Sequence, residues 1–175
     1  MIVGIEQYQP SILNIPEQAL TMKRFSLHTK QILPITLEEA WAFFSSPMNL
    51  SKITPAYMNF KILSGFEEGT TKEGMIIKYK VHPIMGIPLT WVTKITNVSA
   101  PHEFTDMQMQ GPYKEWVHTH RFREVEGGVE MTDELYYQLP MGPLGVLMHS
   151  LFIRKQVEGI FAYRTKTLET LFPAS

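Results

Sequence analysis

The sequence predicts an α+β fold in which a curved antiparallel sheet of about seven strands wraps around one long C-terminal helix, with two short helices after the first strand. Three observations carry this. Six short runs with the two-residue period of strands follow one another between residues 59 and 139, separated almost throughout by Gly- and Pro-containing turns. One further alternating run, 24–33, precedes two short helical segments. Beyond Pro140-Met141-Gly142-Pro143 the pattern is helical to about Leu171. A sheet with one long helix laid against it leaves a cavity between the layers.

Residues 1–21 contain Pro10 and Pro16 and no sustained period, so they are expected to form an N-terminal extension to a single domain spanning 22–172. Thr36-Leu37-Glu38-Glu39 is a capping-box pattern, and Ala40, Trp41, Phe43 and Phe44 follow it at helical spacing. Ser46-Pro47-Met48-Asn49 should stop that helix, and 50–54 can add one more turn before Pro55 forces an extended exit. The strand-like runs are 59–64, 75–82, 89–98, 103–110, 115–124 and 128–139. Gly65, Gly69 and Gly74, then Pro83 to Pro88, Ala100-Pro101, Gly111-Pro112 and Gly127-Gly128 supply hairpin-like connections, so neighbours should run antiparallel. In the last third the apolar stripe changes azimuth near Ser150. Leu144, Leu147, Met148 and Leu151 lie on one side, Ile153, Val157, Ile160, Phe161 and Leu168 on another, which predicts a bend or a short separate helix.

Composition excludes several functions. Sixteen basic and seventeen acidic residues leave no cationic excess to neutralise a phosphate backbone, and there is no dense Lys/Arg run, so neither nucleic acid nor a polybasic membrane contact is expected. The chain has no cysteine, which rules out disulfides and thiol nucleophiles and suits a reducing cytoplasm. No segment approaches the ~20 apolar residues of a membrane span, and the N-terminus lacks the charge and apolar pattern of a secretory signal. The expected setting is therefore cytoplasmic, without integral membrane association; the oligomeric state is open.

The most informative stretch is Gly111 to Phe122. Alternation places Trp116, His118, His120 and Phe122 on one face, while Thr119, Arg121 and Arg123 occupy the solvent side. The same period puts Ile77, Tyr79 and Val81, then Trp91, Thr93 and Ile95, then Phe104, Asp106 and Gln108, then Met131, Asp133, Leu135 and Tyr137 inward. That is more polar character than a purely structural core needs. Arg164 shares an azimuth with Val157, Ile160, Phe161 and Leu168 and so points at the sheet, where Asp106 and Asp133 could pair with it; alternatively it snorkels to water near the helix end. His118 and His120 are open to three readings: interior histidines satisfied by Asp106, Asp133 or Gln108, ligand contacts, or acid–base and metal chemistry.

His118-x-His120-x-x-x-Glu124 partly resembles the first cupin motif. The later glycine and the second glycine-rich motif are missing, and a long C-terminal helix is foreign to that barrel, so no metal and no other cofactor is expected. There is no P-loop, no Gly-x-Gly-x-x-Gly after a strand, no His-Glu-x-x-His and no Gly-x-Ser-x-Gly.

The stretches Ser46 to Pro55, Phe104 to Gln108 with Gly111-Pro112-Tyr113, Trp116 to Phe122, Leu139 to Gly145 and Ile160 to Arg164 together resemble the SRPBCC superfamily, the helix-grip proteins that include START domains and birch-pollen-type allergens. The likeness is to a bacterial "cyclase/dehydrase"-like subgroup and covers residues 22–172. It implies a helix-grip fold with a hydrophobic ligand cavity, and it carries over no catalytic residue set. The expected function is a cytoplasmic binding protein for a small hydrophobic or lipid-like molecule. Tyr79, Trp91, Gln108, Trp116, His118, His120, Phe122, Asp133, Tyr137 and Arg164 are the expected ligand contacts. Two alternatives stand beside it. One is a cyclase, dehydratase or isomerase using His118 or His120 as general acid or base, with Asp106 and Asp133 as further catalytic candidates. The other is a protein-interaction module whose cavity is filled by side chains.

Overall fold

The computed structural model describes residues 23–65, 70–83 and 86–174, so the expectation of an N-terminal extension over 1–21 lies outside the described residues. Seven strands form a single antiparallel sheet: β1 (Arg24–Leu33), β2 (Lys61–Ser64), β3 (Ile76–Val81), β4 (Leu89–Ser99), β5 (Glu103–Gln110), β6 (Glu115–Val125) and β7 (Gly128–Gln138), in the order β1-β7-β6-β5-β4-β3-β2. Consecutive strands from β2 to β7 are hairpin neighbours, as the turn residues predict. The first strand closes the far side by pairing with the last.

The connection from β1 to β2 holds the short helices. Helix α1 (Leu37–Phe44) starts with the complete capping box: the Glu39 amide donates to Thr36 Oγ1 and the Thr36 amide donates to the Glu39 carboxylate. Leu37, Ala40 and Phe44 are its buried face. Two 3₁₀ segments follow, Pro47–Ile53 and Ala56–Met58. Register shifts in the β4–β5 ladder, between Val92 and Thr93 and between Ile95 and Asn97, bend the sheet so that its inner face is concave.

The expected break near Ser150 takes a specific form. Helix α2 (Gly142–Met148) passes through a π-helical turn, His149–Ile153, into helix α3 (Arg154–Leu171). The Arg154 amide donates to the His149 carbonyl five residues back, and the added residue per turn rotates the apolar stripe. On α3 the buried positions are Val157, Phe161, Arg164, Thr165 and Leu168.

Helix and sheet meet in two packed clusters. Leu33, Leu37, Phe44, Phe104, Phe122, Met131 and Leu168 fill one end under α1. Phe25, Leu27, Leu135 and Tyr137 receive Ile153, Val157 and Phe161 at the other. Each fully buried large apolar side chain contributes roughly 1.5–3 kcal/mol. Over β3 and β4, Met58, Ile77, Tyr79, Val81, Trp91 and Ile95 form a third group, with Ile160 of α3 packed against it, that walls a cavity between helix and sheet. Among the described residues no helix is long and apolar enough to cross a membrane.

Candidate ligand-binding site

Strand register assembles the polar residues. Asp106 on β5 lies opposite His118 on β6, and His120, the next inward residue of β6, lies opposite Asp133 on β7. The two imidazoles, 3.9 Å apart between ring centres, are thus flanked by a carboxylate on either side. Nε2 of His118 lies 3.0 Å from Asp133 Oδ1 and Nδ1 of His120 lies 2.9 Å from the same oxygen. The other ring nitrogens look the other way, His120 Nε2 at 3.2 Å and His118 Nδ1 at 3.8 Å from Asp106 Oδ2. Arg164 reaches in from α3, with Nη2 3.4 Å from Asp133 Oδ1 and its guanidinium over the Phe44 ring. Thr29 on β1 completes the set by donating its hydroxyl to Asp133 Oδ2 at 3.3 Å. Of the two readings of Arg164, the structure therefore has the buried, carboxylate-paired one.

Burial would raise the Asp133 carboxyl, yet Arg164 and the bonds from both histidines outweigh it and hold the group well below the usual carboxylate range. The histidines split. Burial and the adjacent His120 lower His118, leaving it neutral. Burial disfavours charge on His120 as well, but the bonds to Asp106 and Asp133 prevail and raise it.

The cluster forms part of the wall of a cavity of about 190 Å³. Aromatic rings line much of the rest, among aliphatic and a few small polar side chains: Trp91 and Trp116 meet edge to face at 5.2 Å, Tyr113 packs on both, and the Tyr79 hydroxyl bonds Thr93 Oγ1 at 2.5 Å. Phe161 from α3 meets the His118 ring, and Gln156 reaches across to donate to the Pro83 carbonyl. Two buried donors in this wall, Trp91 Nε1 and Arg164 Nε, have no hydrogen-bond partner among the described residues.

Of the residues expected to contact a ligand, Tyr79, Trp91, Trp116, His118, His120 and Arg164 line this cavity, as does Asp106. Four others point inward but do not line it. Asp133 sits behind the histidines as their shared acceptor. Gln108 turns to brace its own hairpin, donating to the Tyr113 carbonyl at 2.7 Å and accepting from the Tyr113 amide. Phe122 is packed against Trp41 and Phe44 under α1. Tyr137 is fully buried beneath the π-helical turn, its hydroxyl 2.9 Å from Nε2 of His149. Sequence reasoning missed Tyr113, which leaves the strand period in the Gly111-Pro112 turn. It also missed His149, stacked on Phe25 at 3.4 Å and lowered to about 4 by burial and by Arg154.

No protein-family model matches this chain, and no curated protein sequence matches it. Solved structures do. A protein from Chromobacterium violaceum aligns with TM-score 0.64 at 12% identity, covering 86% of this chain and 98% of that one. Ginseng major latex-like protein 151 from Panax ginseng aligns with TM-score 0.62 at 14% identity, covering 85% and 97%. Ara h 8.0201 aligns with TM-score 0.54 at 15% identity, covering 84% and 99%. At such identities the likeness is one of architecture, and in architecture this chain is a helix-grip protein, as its resemblance to the SRPBCC superfamily implied.

Proposed function

We propose that this is a cytoplasmic binding protein for a compact, largely apolar molecule that carries hydrogen-bond acceptors at one end. The observation that carries this reading is a cavity walled mainly by aromatic and aliphatic side chains, with Asp106, His118 and His120 in its wall and two lining residues, Trp91 and Arg164, that each keep a buried donor, Nε1 and Nε, without a partner among the described residues. Apolar walls supply affinity and the few polar groups supply orientation. Buried unpaired donors cost about 1–3 kcal/mol each, which an acceptor on the ligand would recover. The volume of about 190 Å³ is below the roughly 300–1,000 Å³ of drug-sized pockets, which favours a single-ring or short-chain molecule over a two-chain lipid. Native mass spectrometry of the freshly purified full chain, followed by denaturing extraction, tests this. A stoichiometric organic adduct is expected, and it should be lost in Ile160→Trp, which fills the cavity from α3. An adduct that survives that substitution would place the ligand elsewhere.

A second reading has a specific observation in its favour. Asp133 orients both imidazoles, and His118 is held neutral, which is the state a general base requires. In a cyclase, dehydratase or isomerase, His118→Gln would abolish turnover with little loss of binding. In a carrier it would alter affinity alone. The interaction-module reading presumes a cavity filled by side chains, and the cavity of about 190 Å³ supports ligand binding over it.

A further inference from the structure

Asp133 determines what the two free ring nitrogens of the histidine pair can do. Its Oδ1 lies 3.0 Å from His118 Nε2 and 2.9 Å from His120 Nδ1, and a carboxylate only accepts, so once Asp106 is engaged by a cation instead of by a ring proton, neutral imidazoles place their protons on those two nitrogens, with Arg164 Nη2, 3.4 Å from both His120 Nδ1 and Asp133 Oδ1, turned to the carboxylate. His118 then presents the lone pair of Nδ1 and His120 that of Nε2. Both lie toward a single atom, Asp106 Oδ2, at 3.8 and 3.2 Å. Three electron-rich atoms from two strands converge in the cavity wall, and such a convergence calls for a cation. An additional proton on His120 is one way to supply it.

We propose that Asp106, His118 and His120 bind a divalent first-row transition-metal ion, with Asp133 as the outer carboxylate that orients both imidazoles. The donor set is the first argument. Two imidazole nitrogens and one carboxylate oxygen suit Zn²⁺ or Fe²⁺, whereas Ca²⁺ and Mg²⁺ take all-oxygen shells. Geometry is the second. Metal bonds of ~2.0–2.2 Å set ligand atoms about 3.0–3.5 Å apart, and the three groups already offer atoms within 4.8 Å of one another, so a small inward rotation of His118 closes the site. Third, a carboxylate bonded to the far nitrogen of a metal-binding imidazole is the usual outer support, and here one carboxylate serves both rings. Fourth, all three residues line the cavity, so the remaining coordination positions face it, as in sites that exchange ligands. With neutral histidines the cluster of Asp106, Asp133 and Arg164 carries one net negative charge; a divalent ion reverses that sign, and an anionic oxygen on the cavity's ligand, or a hydroxide, restores neutrality. The spacing along β6 singled out Glu124 as a third ligand, but Glu124 is exposed. The cross-strand Asp106 takes that place.

The full chain, stripped with a chelator and dialysed, is titrated with Co²⁺ and followed by visible d–d absorption, then challenged with Zn²⁺. We expect a saturable band at one Co²⁺ per chain, displaced by one equivalent of Zn²⁺, and at least a tenfold weaker affinity in Asp106→Asn, with His102→Gln unchanged. Should Asp106→Asn fail to fold, long-range ¹H–¹⁵N spectra of the wild-type protein decide instead: Zn²⁺ should shift His118 Nδ1 and His120 Nε2 and leave the opposite nitrogens protonated. No saturable band at millimolar Co²⁺, or binding that leaves both ring nitrogens unshifted, overturns the proposal. The titration contains no organic ligand, so its failure leaves the cavity-binding reading standing, and an empty cavity in mass spectrometry leaves the metal site standing.

Discussion

Asp133→Asn removes one negative charge and almost no volume from a position only 4% exposed, and its consequences follow from what surrounds it. Oδ1 accepts from both histidines and faces Arg164 Nη2 at 3.4 Å, while Oδ2 accepts from Thr29. The substitution leaves the Arg164 guanidinium, itself 7% exposed, without its carboxylate. Breaking a buried pair by removing one partner costs about 3–5 kcal/mol, chiefly because the other charge stays buried. At about 2–4 °C per kcal/mol for a domain of this size, the melting temperature should fall by roughly 6–20 °C. Urea unfolding at pH 7 of Asp133→Asn, Arg164→Met and the double variant measures the coupling directly. Arg164→Met keeps the stem that packs near Phe44 but removes the charge, so the double variant should be more stable than the sum of single losses implies by at least ~1 kcal/mol. A single-variant loss below about 1 kcal/mol, or a cycle additive to within about 0.5 kcal/mol, would refute the assignment of Asp133 as counter-charge to Arg164.

The buried histidines should give stability opposite slopes on the two sides of neutrality. His120 is raised above the ordinary ~6.5 of histidine, so its contribution is complete below that pH and is lost as pH rises through the folded-state value; His120→Gln should flatten the alkaline slope of the urea midpoint. His149 is lowered to about 4, so between ~6.5 and that value the unfolded chain binds more protons and stability falls with acid; His149→Gln should flatten that limb, and His118, also lowered, adds to it. Unchanged midpoint profiles in both variants would contradict these assignments. In the β6–β7 hairpin, Gly128 has φ +136° and a Cβ there would stand 2.0 Å from the Leu33 carbonyl oxygen, so Gly128→Ala should cost well over ~1 kcal/mol in thermal unfolding, whereas Gly127→Asn, with φ +86° and open space, should cost much less.

Period two was enough to place the inward faces, because each long strand buries one side, and the capping box was enough to start α1. What alternation could not say is which inward residues reach the cavity. The concave face is longer than the void, and its ends are covered, Phe122 by α1 and Tyr137 by the π-helical turn. Gln108 obeyed the strand phase in its backbone, yet its side chain satisfied the nearest backbone groups of the hairpin. The shared acceptor role of Asp133 depends on cross-strand register, which is set by loop lengths and turn conformations. His149 was hidden for a different reason: the 3.6-residue period assumes a regular helix, and the π turn adds a residue where His149 turns inward.

Two of the three tryptophans, Trp91 and Trp116, stand in the cavity wall with their indoles nearly perpendicular at 87° and ring centres 5.2 Å apart, while Trp41 packs against Phe104 and Phe122 in a separate cluster. Chromophores that close and so oriented exchange excitation and mix their transitions. The wall therefore carries its own optical gauge: an exciton couplet in the far-ultraviolet circular dichroism that a guest wedged against either ring would reshape, with Trp41 as an internal reference that no guest touches.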